Sequence, residues 1–372
     1  MKEFKSKTHA LLLTMLEVAA IHRNPERSMF SPNGFLIYRV GLCLSYITMI
    51  TSSLLYLNEE GGNQLMKMVL SSVALQFFVC SMVLISKKES ITKMLLASTE
   101  VFSQLTPNDE NRIKMDLLDK KSLKFAKFFA FLISMNVISG VMKGLMNSWL
   151  SGETHYPFDL SCLGLSAVPC WFTQLFSTSG TIIYIYCYFA ILKLILYQLW
   201  GYVDVLSALI RDRPVSASEK DDRDLLKFYC DYGNFAVSFT SIFGITAFID
   251  MIFTSVRCGL ISYYIVMSIS ENNWSDAAGS MVGLASSFIL PYIVCSCGED
   301  MDEMNNQIRN GFLESNWYQC SPQSRKRLLP ILTLNNVPIK FQYRQCMHFN
   351  MERFMQVLRS SYSLTTALAN FM

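Results

Sequence analysis

The side chains that most often carry catalysis or hold metals are few and scattered in this chain. Its four histidines stand at positions 9, 22, 155 and 348, and no two of them have the spacing of a metal site. Cys295 and Cys297 form a C-x-C pair, which is too short a pattern to predict a metal ion. The sequence also lacks a glycine-rich phosphate loop and paired carboxylates at a catalytic spacing. We therefore expect no enzyme activity, no cofactor and no metal site.

Polar side chains inside apolar segments are the other candidates for function. Ser363, Thr366, Ala367 and Asn370 share one face of a helix by three- and four-residue spacing, and Leu368 is the nearest large apolar side chain. Small and hydroxylated side chains in a membrane helix allow close packing, or they line a water-filled pore. The residues alone leave both interpretations open.

Asp250 and Arg257 are charged residues near the middle of another long apolar segment, and they lie two turns apart on one helix face. A charge at that depth costs about 2.5–3.5 kcal/mol on insertion scales. We therefore expect both side chains to face the interior of a helix bundle, each paired with a polar group and in a structural role.

Long apolar segments must position these residues. Apolar residues make up 51% of the 372 residues and charged residues only 16%, against about 25% charged in a soluble domain. About 20 apolar helical residues cross the hydrocarbon layer, and seven segments reach that length: 35–57, 65–86, 125–149, 171–197, 238–269, 277–297 and 348–371. The predicted fold class is an all-α membrane protein with seven transmembrane helices, whose helices continue into the long polar segments 87–124 and 198–237.

The distribution of lysine and arginine predicts the orientation of these helices. Segments 1–34, 87–127, 211–227 and 309–344 hold 5, 9, 5 and 6 of them, whereas the alternate loops hold none. Since positive loops stay in the cytosol, the N-terminus is predicted to be cytosolic and the C-terminus extracellular. The net charge of +3 is too small to predict nucleic acid as a partner.

Two features of the predicted outer loops agree with that orientation. Asn273-Trp274-Ser275 is a glycosylation sequon in the loop between the fifth and sixth spans. Cys162 and Cys170 share the largest outer loop, where they would form either a disulfide or two free thiols.

The last 80 residues carry an ordered series of motifs. The series begins with Gly298-Glu299 after the sixth span and continues through Trp317-Tyr318, Val337-Pro338 and Ser361-Tyr362-Ser363. In order and spacing it resembles the C-terminal part of the insect odorant receptors. The wider chemoreceptor family ends in Thr-Tyr, five residues and Gln-Phe. Only Phe371 matches that ending, which favours a divergent odour-tuned subunit over the gustatory branch.

The resemblance implies an odorant-gated, non-selective cation channel in the plasma membrane of sensory neuron dendrites. Its subunits would form a heterotetramer with the co-receptor Orco, in contact with membrane lipid. Residues 1–297 would hold six spans and an odorant pocket, 298–347 a cytosolic anchor, and 348–372 the pore-lining helix. The pore residues would then be Ser363, Thr366, Ala367, Leu368 and Asn370.

The resemblance also implies an anchor and a pocket for a small volatile ligand. The anchor residues would be Trp317, Arg325, Lys326, Arg327 and Leu328. The alternative for this basic amphipathic stretch is an interfacial helix that rests on anionic lipid. The pocket residues would be Val73, Gln76, Phe77, Val137, Gly140, Gly144, Leu175, Phe176, Ser179, Met281 and Leu284. Ordinary helix packing is the alternative role for each of them.

Two other functions remain open. A gustatory-type channel would work without a co-receptor. A secondary transporter would more often show inverted repeats and broken helices at the membrane midplane, and the one proline inside a span here is Pro291.

Overall fold

The computed structural model describes residues 31–55, 62–94 and 167–370, together with single residues at 15 and 17 and between 117 and 131. Five long helices form the bundle: α1 (Pro32–Leu55), α2 (Gly62–Ser86), α3 (Ala167–Arg211), α4 (Glu219–Ser270) and α5 (Trp274–Glu314). A 3-10 turn (Trp317–Gln319) and a shorter helix α6 (Pro322–Asn335) follow. A hairpin of β1 (Gln342–Tyr343) and β2 (Met347–His348) leads into the last helix, α7 (Met351–Ala369).

Helices α3, α4 and α5 are much longer than a membrane is thick. The 52 residues of α4 correspond to about 78 Å at 1.5 Å per residue, against ~30 Å of hydrocarbon. This confirms the prediction that helices continue into segment 198–237, where α3 ends at Arg211 and α4 begins at Glu219. Most of the other polar segment, 87–124, lies outside the described residues. We call the end of the molecule where α3 meets α4 the α3–α4 end.

A capping box fixes the turn between α3 and α4. Ser218 Oγ accepts the backbone N–H of Asp221, and the Asp221 carboxylate accepts the backbone N–H of Ser218. The reciprocal bonds satisfy two of the donors that a helix start leaves open. The chain therefore reverses sharply here, and α3 and α4 run side by side.

Helix α4 lies at the centre of the packing, in contact with α2, α3, α5, α6, β1 and α7. Its buried side chains include Phe239, Phe243 and Ala247, each at most 1% exposed. Aromatic rings join it to its neighbours, as where Phe239 packs on Phe341 with centroids 5.2 Å apart. The principal core therefore lies around α4.

The hairpin between α6 and α7 was not predicted from the sequence. Its strands pair Gln342 with His348 and Tyr343 with Met347, and the backbone N–H of Cys346 donates to Tyr343 O at 2.9 Å. Tyr343 stacks on Phe248 of α4 with centroids 4.6 Å apart. Two-residue strands are below the length at which alternation gives a signal, so only packing on α4 reveals this hairpin.

The predicted spans coincide with helices where the structure describes them, except at the start of the seventh. That span was predicted to begin at 348, but His348 belongs to β2 and α7 begins at Met351, after its N-cap Asn350. Among the described residues, three helical stretches are long and apolar enough to cross a membrane: Cys187–Arg211, Glu219–Ser270 and Ala277–Glu314. Segment 125–149, the predicted third span, lies largely outside the described residues. The count of seven spans and the sidedness of the termini stay predictions.

Candidate functional site

A buried polar network joins α2 and α4 inside the apolar bundle. The Gln76 side-chain amide donates to Asp250 Oδ1, while Gln76 Oε1 accepts Arg257 Nη1 at 2.6 Å. Arg257 also donates to Thr254 Oγ1 at 3.0 Å. Gln76, Asp250 and Arg257 are at most 3% exposed. One amide therefore bridges an acid and a base of opposite charge, which confirms that both charges face the bundle and pair with a polar group.

The same depth holds a second junction between helices. Tyr188 of α3 and Thr246 of α4 share a hydrogen bond of 2.8 Å between their hydroxyl groups. The Cys80 thiol of α2 donates to Thr246 O at 3.9 Å. Both junctions make α4 the element that positions α2 and α3.

The predicted ligand residues fall in several environments. Gln76 belongs to the network above, Val73 packs half-buried on the main core, and Leu284 packs near Val69 and Ile261. Met281 is 48% exposed. Leu175, Phe176 and Ser179 lie on the helical backbone of α3, and the side chains of these three and of Phe77 are not described. Val137, Gly140 and Gly144 lie outside the described residues.

Helix α7 has one packed side and one open side. On the packed side, Ser361 Oγ donates to Ser255 O and Thr365 Oγ1 donates to Gly259 O, both at 3.3 Å. On the open side, Tyr362 is 72% exposed, and Ser363 and Asn370 are also exposed. Of the other predicted pore residues, Ala367 is exposed, while Thr366 and Leu368 are half-buried. The predicted face therefore lies on the open side, with Leu368 turned part of the way toward the bundle.

The Gly298-Glu299 motif acquires a structural explanation at the start of α7. A Cβ atom at position 298 would lie 1.5 Å from Phe349 O, so only glycine lets the chain approach α5 this closely. Glu299 Oε1 accepts the backbone N–H of Met351 at 2.9 Å. The side chain of Asn350 accepts the backbone N–H of Arg353, also at 2.9 Å, as an N-cap. Adjacent residues of α5 thus set both the distance and the first turn of α7.

A second buried ion cluster fastens α6 at the α3–α4 end. Arg213 pairs with Asp222, whose side chain is fully buried, and donates to Ser324 Oγ of α6 at 2.5 Å. Ser324 Oγ donates in turn to Asp222 Oδ2 at 2.5 Å. Arg327 of α6 reaches Glu219 Oε2 at 2.9 Å and Asp222 Oδ2 at 3.6 Å. We call these residues, Arg213, Glu219, Asp222, Ser324 and Arg327, the α6 clasp.

The α6 clasp was missed from the sequence, and it separates the predicted anchor residues into two groups. Arg327 is used in the clasp, and Leu328 is 1% exposed in the chain's own core. Arg325 and Lys326 point to solvent, and Trp317 is half-buried. The only sequence signal was the charge-rich run 219–224, which also describes an ordinary solvated helix start.

The remaining sequence features concern modification and metals. Asn273 of the sequon is exposed in the turn before α5, as a glycan acceptor must be. Cys162 lies outside the described residues, and the side chain of Cys170 is not described. Within the described ranges, no three His, Cys, Asp or Glu side chains are grouped as a metal site would require.

Solved structures that match this chain in fold include two of an insect olfactory receptor. The insect olfactory receptor OR5 from Machilis hrabei, in complex with eugenol, superposes with a TM-score of 0.80 at 12% identity, covering 98% of both chains. The structure of the same receptor described without eugenol gives a TM-score of 0.73 at 13% identity over 96% of both chains. At these identities the likeness establishes the fold. A search of curated protein sequences gives no significant match.

The sequence itself matches a family model over most of its length. The model of the 7tm Odorant receptor family covers residues 63–362, which include the intramembrane network, the α6 clasp and most of α7. This range also contains the C-terminal motifs as far as Tyr362, whereas Ser363 and the ending with Phe371 lie beyond it. The chain therefore belongs to the 7tm Odorant receptor family, as a membrane-located receptor rather than an enzyme.

Proposed function

We propose that this odorant receptor is the odour-tuned subunit of a ligand-gated cation channel that it forms with the co-receptor Orco. The observation that carries the proposal is the open polar side of α7. Ser363 and Asn370 are exposed there, whereas Ser361 and Thr365 on the opposite side bond to α4. The Thr366 hydroxyl on this side bonds to Tyr362 O and Ser363 O of its own helix. The remaining polar groups on the uncovered side of a membrane helix are satisfied by water or by another subunit.

A central pore satisfies those groups with water. If four subunits place α7 around a common axis, Ser363, Thr366, Ala367 and Asn370 line the aqueous path, and Leu368 is the nearest large apolar side chain for a constriction. Hydroxyl and amide oxygens replace part of a cation's hydration shell, while a ring of apolar side chains closes a pore by dewetting. Small residues also permit close helix packing. That packing occurs on the α4 side of α7, where Ser361 and Thr365 bond to α4. This supports a different role for the open side.

The surface of α6 supports subunit contact on the cytosolic side. Leu329 and Leu334 are 56% and 54% exposed, and Val337, just after the helix, is 77% exposed. Arg325 and Lys326 lie exposed beside them. We propose this mixed surface, with Trp317, as the anchor, while Arg327 and Leu328 hold α6 within its own subunit.

The ligand of the proposed channel is a small volatile molecule. The predicted pocket lies among the second, third, fourth and sixth spans in the outer half of the bundle, as residue depth and the family resemblance suggest. The Machilis hrabei receptor is described in complex with eugenol, a small aromatic compound. Aromatic and aliphatic side chains with few polar groups suit a ligand of that kind.

The proposed setting is the plasma membrane of olfactory neurons, with seven spans and a cytosolic N-terminus. The lysine and arginine distribution supports this sidedness. In the proposed orientation, the α3–α4 end, α6 and the hairpin face the cytosol.

Voltage-clamp recording in oocytes tests the proposal. The chain is expressed with Orco, alone, and as the Asn370→Lys variant with Orco, and a panel of volatiles is applied. We expect odour-evoked cation current only with Orco, and a smaller current from the variant because a lysine adds positive charge to the pore wall. Current from the chain alone would instead establish a gustatory-type channel. Solute uptake without current would establish a transporter.

A further inference from the structure

A cavity of about 600 Å³ lies apart from the predicted odorant pocket and pore. It lies between the end of α2, the middle of α4 and the segment 337–345 that contains the hairpin. Lys87 and Val237 on its wall directly adjoin the predicted ends of the second and fifth spans, residues 86 and 238. By these predicted span ends, the cavity lies at the boundary between hydrocarbon and water.

The polar side of this cavity is positively charged. Lys87, Lys340 and Arg344 line it together with the hydroxyl residues Thr240 and Ser241, and its described lining contains no Asp or Glu. Among the described residues, no carboxylate lies within ion-pair distance of these three cations. Asp302, outside the cavity lining, interacts electrostatically with Lys340 from beyond that distance. Three cations around one cavity repel each other, so an anion is the occupant that their charge favours.

The other side of the cavity is apolar and open. Val237 is 55% exposed and Val337 is 77% exposed, and Ile245, Pro338 and Ile339 complete this wall. A soluble anion would not cover these side chains. A molecule with both an anionic head and an apolar tail would satisfy both walls.

The hairpin that forms one wall is held firmly in place. A Cβ atom at Gly244 would lie 2.7 Å from Gln342 O, so β1 rests directly on the backbone of α4. At the hairpin tip, Arg344 and Gln345 have φ of 47° and 63°, a left-handed turn that neither residue type favours. The tight turn from Tyr343 to Cys346 requires positive φ at both central residues, so the hairpin itself fixes the backbone that carries Arg344.

We infer that this cavity binds the phosphate headgroup of an anionic phospholipid of the cytosolic leaflet, with Lys87, Lys340 and Arg344 on the phosphate and the Val237–Val337 side on the lipid tail. Arg344 presents a fork of donors suited to phosphate oxygens, and the two lysines add point charges. The leaflet assignment rests on the sidedness given under the proposed function. Because the hairpin leads directly into α7, lipid at this site contacts the segment that enters the proposed pore helix.

Binding to the full-length chain purified in detergent tests the inference without requiring Orco or an odorant. The probe is dioctanoyl phosphatidylinositol 4,5-bisphosphate, with dioctanoyl phosphatidylcholine and free inositol trisphosphate as comparison ligands. The cavity variant carries Lys87→Gln, Lys340→Gln and Arg344→Gln. The control carries Lys88→Gln, Lys220→Gln and Arg309→Gln, which removes the same charges at exposed positions outside the cavity. Gel filtration and thermal unfolding establish that each variant is folded.

We expect the cavity variant to lose roughly 100-fold in affinity, since each cation near a lipid phosphate contributes about a factor of five, while the control keeps wild-type affinity. Equal affinity of the cavity variant and wild type would overturn the inference. Equal binding of phosphatidylcholine would also overturn it, since headgroup charge would then not matter. Binding of inositol trisphosphate as tight as that of the lipid would assign the cavity to soluble phosphates instead.

Crosslinking of wild-type protein gives a second test that does not depend on a variant folding. A photoactivatable form of the same short-chain lipid is expected to label peptides from 237–245 or 337–345. Labelling confined to other segments would refute the site. Odour-evoked current with Orco, recorded as above, fails or succeeds independently of both measurements.

Discussion

Replacing Gln76 by leucine should destabilise the protein strongly, because one amide bridges Asp250 and Arg257. The substitution removes two hydrogen bonds to charged groups, each contributing about 1.5–3 kcal/mol. The expected loss is therefore about 3–6 kcal/mol. An unfolding entropy of about 2.1 cal/mol/K per residue over 372 residues converts this to a drop of about 4–8 °C in the midpoint of thermal unfolding.

A compensated variant isolates the cause of that loss. Gln76→Met, Asp250→Leu and Arg257→Met together replace the network by apolar side chains, and such replacement of buried charges is often neutral or stabilising. We expect this triple variant to unfold at a higher temperature than Gln76→Leu. The assay is thermal unfolding of detergent-purified protein followed by circular dichroism, at one detergent and protein concentration.

The result also decides between two roles for Gln76. Sequence reasoning placed it in the odorant pocket, whereas the structure uses both ends of its amide inside the bundle. If Gln76→Leu changed the odour response while the unfolding midpoint moved by less than about 1 °C, the structural explanation would be refuted. A triple variant less stable than Gln76→Leu would refute the charge argument in the same way.

Three further variants test the packing and the pore. Gly298→Ala should disrupt the junction of α5 and α7, because its Cβ would meet Phe349 O at 1.5 Å. At Gly283 no described residue lies within 4 Å of such a Cβ, so Gly283→Ala should leave the unfolding midpoint unchanged or slightly raised. Equal effects of the two variants would contradict the close approach. Asp222→Asn removes the charge that balances buried Arg213, and it should lower the free energy of unfolding by about 3–5 kcal/mol. The measurement is the midpoint of thermal unfolding, with Asp224→Asn at an exposed position as the control. Matching midpoints of the two variants would show that the α6 clasp contributes nothing to stability. Asn370→Lys should reduce odour-evoked cation current several-fold. Val215→Lys in the α3–α4 turn adds the same charge away from the pore, so it is the control that should keep the wild-type current. Similar currents from both variants would argue against α7 as the pore lining.

The C-terminal motifs illustrate how far the sequence reaches. Gly298-Glu299 was recognised as a family feature, but its role depends on Phe349 and Met351, some fifty residues further along. Ser361 and Ser363 belong to one motif, yet Ser361 bonds to α4 and Ser363 is exposed. Spacing placed both on one helix. Which of them packs is decided by where α4 lies.

By itself, the sequence determined the helical class, the positions of the described helices and the membership of the odorant receptor family. Apolar length, the distribution of lysine and arginine and motif order are local properties, so they can be read along the chain. The bridge from Gln76 to Asp250 and Arg257, the α6 clasp and the basic cavity were decided only by the tertiary structure. Each brings together residues about 90 to 260 positions apart along the chain. The cavity also depends on two short strands that have no sequence pattern of their own. Which polar groups meet inside a bundle depends on how each helix is rotated and how deep it lies. The periodicity of apolar residues along the sequence specifies neither.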